Sequence, residues 1–141
     1  MRYTKTSGYK YTTTERCTLA LSLFDGVTFA AQHFALASGL LTVREGYAWD
    51  GASGPTWDTN NTLVPSLVHD VLYQAIRAGL LPESRRFDAD LEFYRLMRER
   101  SRGFWSHLRA FYFFVGVRCF GWLSVRPKSG GEAQDNVLLA L

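Results

Sequence analysis

The chain has 141 residues, 47% of them hydrophobic, 15% aromatic and 21% charged, so it can bury a sizeable core and is not a disordered or low-complexity polypeptide. Its net charge of +3 is mild, and the basic residues concentrate between Arg77 and Arg109 beside Glu83, Asp88, Asp90, Glu92 and Glu99. Such a stretch reads as a solvated, mixed-charge helix face. With no basic run interleaved with aromatics and no groove-reading motif, no nucleic acid partner is expected.

Residues 1–14 are polar and lack an apolar h-region, which predicts synthesis in the cytoplasm without a secretory signal peptide. Residues 9–23, rich in Thr and Tyr and without a helical period, predict strands. Residues 34–37 and 40–43 flank Ser38-Gly39, the pattern of a hairpin. Residues 45–61 are dense in Gly, Ser, Pro and Asp and predict a long functional loop, pinned by Tyr47, Trp49 and Trp57.

A helix is predicted from Pro65, a residue suited to a first turn, to Ala78, with Gly79 ending it. A second is predicted over 85–101 and a third over 104–124. Strands first and helices after predict an α+β fold in a single domain, 1–126. Within it, 1–44 is β-rich, 45–61 is the small-residue loop and 65–124 is helical. Residues 127–141 are predicted to be a flexible tail ending in the apolar run 137–141.

Cys17 and Cys119 form no CxxC pair and have no zinc partner in sequence, which predicts two small buried apolar residues. The stretch 104–123 is apolar, but its longest charge-free run, 110–117, is bounded by Arg109 and Arg118. A membrane span needs about twenty apolar residues, so a core helix is predicted.

On a wheel at about 100° per residue, Val64, Val68, Val71, Leu72, Ala75 and Ile76 share one stripe of the first helix. Ser66, His69, Asp70, Tyr73 and Arg77 share the other side, expected to be solvated. His69 and Tyr73 are one turn apart, as are Asp70 and Tyr73, so the three can converge. On the second helix Asp90 shares a stripe with Phe87, Phe93, Tyr94 and Met97, whereas Asp88, Glu92 and Arg95 are expected to point away. A carboxylate on a buried stripe needs hydrogen-bond partners, and His69 and Tyr73 are available across a short inter-helix turn. An imidazole oriented in this way can act as a general base on water. A satisfied structural polar cluster accounts for Asp90 equally well.

Residues 50–55 are nearly free of side-chain bulk, so their carbonyls could approach an oxygen-ligated cation closely, or form a Gly/Pro turn with no metal. Asp50 and Asp58 are either turn-forming residues or extra ligands. Asp70 points about 100° away from His69 and could hold a metal while His69 handles water. A metal phosphohydrolase would need a further helical histidine, and the candidate, His33, sits in strand-like sequence. Ser53 and Ser66 lie in no Gly-x-Ser-x-Gly elbow, and His107 is expected in the core or at an interface.

The order of small-residue loop, His69-Asp70-x-x-Tyr73 helix and helix bearing Asp90 resembles the secreted phospholipase A2 superfamily. That resemblance implies a calcium-dependent hydrolase with an antiparallel helix pair. His69 would be the base, oriented by Asp90, which Tyr73 hydrogen-bonds. Asp70 would ligate calcium, and Tyr47, Trp49, Asp50, Gly51 and Ser53 would complete the shell through the loop. The cysteines usual around such a site are absent, and a β-rich region precedes it.

Those departures resemble a domain-of-unknown-function family of tailed phages and prophages. The matching motifs are Gly46-Tyr47-Ala48-Trp49-Asp50-Gly51-Ala52-Ser53-Gly54-Pro55, Val68-His69-Asp70-Val71-Leu72-Tyr73 and Ala89-Asp90-Leu91-Glu92-Phe93, with Gly116-Val117-Arg118 and Gly121-Trp122 after them. This resemblance implies a phage protein made in a bacterial host, either acting on host membrane phospholipid or built into the virion or tail as a non-catalytic component. Host phospholipid and other virion or tail proteins are the expected partners.

Overall fold

The computed structural model describes residues 1–4, 11–51, 60–100 and 103–125. Seven short strands precede three helices, so the fold is α+β with antiparallel strands first. The strands up to Gly51 form one compact unit and the helices another. The tail, 127–141, lies outside the described residues.

The strand unit has two antiparallel sheets. The first orders β1 (Tyr3–Thr4), β2 (Tyr11–Thr13) and β7 (Ala48–Trp49) with β2 central. The second runs β3 (Cys17–Ala20), β6 (Leu40–Val43), β5 (Phe34–Ala37) and β4 (Phe29–Ala30). Alternation decides which face is buried. Phe34 opposes Val43 and Leu36 opposes Leu41, and all four side chains are fully buried, while Ala37 and Leu40 face out at the turn.

That turn is the expected hairpin, with two residues at positive φ: Ser38 at 49° and Gly39 at 70°. Two left-handed residues twist in the same sense as the strands they join. In the first sheet the rings of Tyr3, Tyr11 and Trp49 meet at centroid distances of 5.3 to 6.2 Å. The buried Thr13 hydroxyl donates to the Arg44 carbonyl at 2.8 Å and accepts the Tyr47 amide at 2.9 Å, closing the bend that enters β7. The expected loop from residue 45 therefore begins with a strand. Trp49 packs there on Tyr3 and Tyr11 and Tyr47 packs on Phe34, which the small residues around them concealed, while Trp57 lies outside the described residues.

The helical unit comprises α1 (Asn60–Arg77), a 3₁₀ turn (Glu83–Arg85), α2 (Arg86–Arg100) and α3 (Phe104–Val125). Helix α1 starts five residues before its expected position, with Pro65 inside it. Proline removes one amide donor, here the partner of the Asn61 carbonyl, and so close to the helix start the loss affects only that bond.

Helix α1 ends as expected at Gly79, φ +72°. The Leu80 amide donates to Ala75 at 2.9 Å and the Gly79 amide to Ile76 at 3.0 Å, the paired bonds of a glycine C-cap. The following short link turns the chain so that α2 lies along α1. Phe93 and Met97 of α2 then pack with Ala110 and Phe113 of α3.

The burial pattern corrects several expectations. Ser66 and Tyr73, placed on a solvated side, are buried, because α1 is covered nearly all round. Ser66 donates to the Leu63 carbonyl at 2.9 Å. Glu92, expected to point away, is fully buried and ion-paired with Arg95. Phe87, expected on the buried stripe with Asp90, is 48% exposed. Cys17 is only half-buried and Cys119 is exposed. Among the described residues no helix is long and apolar enough to cross a membrane.

Candidate functional site

The helical unit gathers its polar chemistry around one carboxylate. Asp90 is fully buried on α2, and every donor that reaches it comes from a different position along the chain. His69 Nε2 lies 2.9 Å from Oδ1, and the Tyr73 hydroxyl donates to the same oxygen at 2.6 Å. Arg118 of α3 donates to Oδ2 at 2.9 Å, and Arg86 Nε stands 4.0 Å from that oxygen. His69, Tyr73 and Asp90, the expected catalytic set, are therefore brought together.

Helical spacing explains the convergence. His69 and Tyr73 project from successive turns of α1 toward the same point of α2, one turn before Phe93. The imidazole packs against two rings, with its centroid 4.1 Å from Tyr73 and 5.0 Å from Phe93. Its edge reaches solvent, at 11% side-chain exposure. Contact with two aromatic rings limits how the imidazole can turn.

Burial pushes the Asp90 carboxyl up, but the hydrogen bonds from His69 and Tyr73, the charge of His69 and the donor from Arg118 outweigh it. Its pKa is thus held below the ordinary carboxylate range, and the group is an anion. An ionised carboxylate only accepts, so Nε2 carries the hydrogen and Nδ1 is the nitrogen able to take a proton. Tyr73 moves the other way. Burial first, then its bond to Asp90 and the charge there, push the phenol far up, so it stays a donor.

Arg118 and Arg86 were not among the expected site residues. The available signal was Arg118 itself, a cation set inside the apolar run of α3, which requires a partner. As an interruption of a possible membrane span it pointed only to a core helix.

The expected metal set is not gathered in one unit. Asp70 is half-buried on α1, whereas Tyr47, Trp49, Asp50 and Gly51 belong to the strand unit, and Ser53 lies outside the described residues. The Tyr47 carbonyl already accepts the Thr13 amide at 2.9 Å, so that oxygen is engaged within the strands. Gly51 has φ +76°, a conformation only glycine adopts readily. Among the described residues no group of three or more His, Cys, Asp or Glu side chains is placed to hold a metal.

His33 sits between β4 and β5, in the strand unit, and its carbonyl accepts the Arg44 amide at 2.7 Å. His107 is half-buried on α3, and its Nδ1 has no hydrogen-bond partner among the described residues. Compared with family models, with curated proteins and with solved structures, the chain finds no match in any of the three.

Proposed function

We propose that the helical unit carries a phospholipase A2-like hydrolytic site acting on ester bonds of membrane phospholipid, with His69 as general base. The observation that carries this reading is the 2.9 Å contact between His69 Nε2 and a fully buried, ionised Asp90. It leaves Nδ1 as the proton acceptor on a ring whose edge is open.

In this reading a water molecule gives a proton to Nδ1 as its oxygen adds to the ester carbonyl carbon. Asp90 stabilises the imidazolium that forms, while Tyr73 and Arg118 keep Asp90 an anion. The carbonyl re-forms, the bond to the alcohol oxygen breaks, and Nδ1 returns its proton to that oxygen. The phospholipase resemblance implies calcium, for which Asp70 is the ligand in the helical unit. Such a cation would supply charge stabilisation for the developing oxyanion.

The test is fatty-acid release from phosphatidylglycerol and phosphatidylcholine vesicles, with calcium and with a chelator. The native protein should release fatty acid only with calcium, and His69→Ala should lose the activity while its circular dichroism is unchanged. No release from any phospholipid with any divalent cation would defeat the proposal.

A second reading, a non-catalytic virion or tail-associated protein of a phage, draws on a different feature. Leu108, Phe111, Tyr112 and Val115 lie along one face of α3 and are 41 to 60% exposed. An apolar stripe of this kind suits an assembly contact. Under that reading, phage particles carrying His69→Ala assemble and remain infectious. Assembled but non-infectious particles would argue for the hydrolase.

A further inference from the structure

Arg118 makes three contacts with a single stretch of α2. Its guanidinium donates to Asp90 Oδ2 at 2.9 Å and lies over the Phe87 ring, 5.1 Å from the centroid. Its backbone carbonyl accepts a hydrogen bond from Arg86 at 3.0 Å. The exchange is reciprocal: α2 holds the backbone of α3 at the residue whose side chain α3 returns to α2.

The arrangement matters because Asp90 distributes its donors unevenly. Oδ1 accepts from both His69 and Tyr73, whereas among the described residues Oδ2 has Arg118 alone within hydrogen-bonding distance, with Arg86 farther off at 4.0 Å. A buried carboxylate oxygen left without a donor is costly, so the loss of Arg118 favours any rearrangement that finds Oδ2 another one. Without Arg118, rotating the carboxylate toward Arg86, or sharing Tyr73 between the two oxygens, becomes the least costly arrangement. Either change withdraws Oδ1 from the imidazole.

We propose that Arg118 is a positioning residue for His69: by holding Oδ2 from α3, it keeps Oδ1 aimed at Nε2 and so keeps the imidazole hydrogen on Nε2 and Nδ1 open. The geometric claim stands on these contacts alone. Only its catalytic consequence rests on the reading of His69 as a base. A guanidinium suits the role because its planar fork sets direction as well as charge, and the ring of Phe87 beneath it restricts its tilt.

The experiment is nitrogen–proton correlation NMR of histidine-labelled full-length protein at one pH, with the His69 signals assigned by their loss in His69→Ala. The native protein should show a single tautomer protonated at Nε2, with a slowly exchanging, strongly downfield proton. In Arg118→Gln that resonance should be lost and the Nδ1-protonated tautomer should appear, while Arg118→Lys should restore part of the native signal. A folded Arg118→Gln with the native tautomer and proton overturns the proposal.

Should Arg118→Gln not fold, Phe87→Ala decides. It removes a half-exposed ring and leaves every charged group in place, so broadening of the Nε2 proton supports the proposal and an unchanged signal overturns it. If the native protein hydrolyses phospholipid, Arg118→Gln should lower kcat and leave KM alone. If it hydrolyses nothing, the hydrolase reading fails while the tautomer still judges Arg118.

Discussion

At the scale of single residues, Asp90 makes the steepest prediction. It is a buried charge whose partners sit on all three helices, so its removal strands cations as well as deleting hydrogen bonds. Asp90→Ala should destabilise the helical unit by about 3–5 kcal/mol, the cost of leaving a buried ion pair half-occupied. Tyr73→Phe keeps the ring and removes one hydrogen bond to a charged acceptor, for a smaller loss of about 1.5–3 kcal/mol. Urea unfolding followed by helical circular dichroism measures both, and equal losses would contradict the assignment of Asp90 as the hub.

The pairing of His69, Tyr73 and Asp90 was legible at this scale because helical spacing and the cost of a buried carboxylate are local and chemical. The two arginines were not legible. Their distance from Asp90 depends on how α3 docks, and no local period encodes that.

At the scale of elements, two glycines separate conformational strain from crowding. Both Gly39, in the β5–β6 hairpin, and Gly79, capping α1, have φ near +70°. A Cβ at Gly79 meets nothing within 4 Å, whereas one at Gly39 lies 3.3 Å from the Leu21 carbonyl oxygen. Gly79→Ala should therefore cost about 1–2 kcal/mol, the left-handed penalty of an L-residue, and Gly39→Ala more than that. Denaturant midpoints of the two variants give the order directly, and a larger effect at Gly79 would refute this account.

These same elements show why some were legible and others not. The hairpin announced itself by alternation around Ser38-Gly39, and the end of α1 by its glycine. The early start of α1 did not, because proline is usually a first-turn residue and here its missing amide is absorbed one turn later. β7 did not either. Two residues carry no period, and only pairing with β2 makes Ala48 and Trp49 a strand. Glu92 and Phe87 exchanged their expected places for a related reason. With α2 covered on two sides by α1 and α3, a single apolar stripe no longer describes which positions are buried.

At the scale of the whole molecule, the Asp90 cluster gives acid lability a sign. Its folded pKa lies below the ordinary value, so its stabilising contribution is complete above about pH 4 and is lost as pH falls through the folded value. Urea midpoints of the native protein should fall on acidification below about pH 4, and more steeply than those of Asp90→Asn, which cannot titrate. Parallel curves for the two proteins would show that Asp90 is not the titrating group.

Composition, alternation and helical spacing were sufficient to determine an α+β chain with strands first, a hairpin at Ser38-Gly39, and an imidazole, a phenol and a carboxylate on facing helices. Each of these depends on interactions a few residues apart or on the cost of burying a particular group. Tertiary structure alone decided that α3 completes the carboxylate's shell, that α1 is covered nearly all round, and that Trp49 of the expected loop enters a sheet. Those outcomes depend on contacts between residues some thirty positions apart, whose cost and gain arise only when the elements pack.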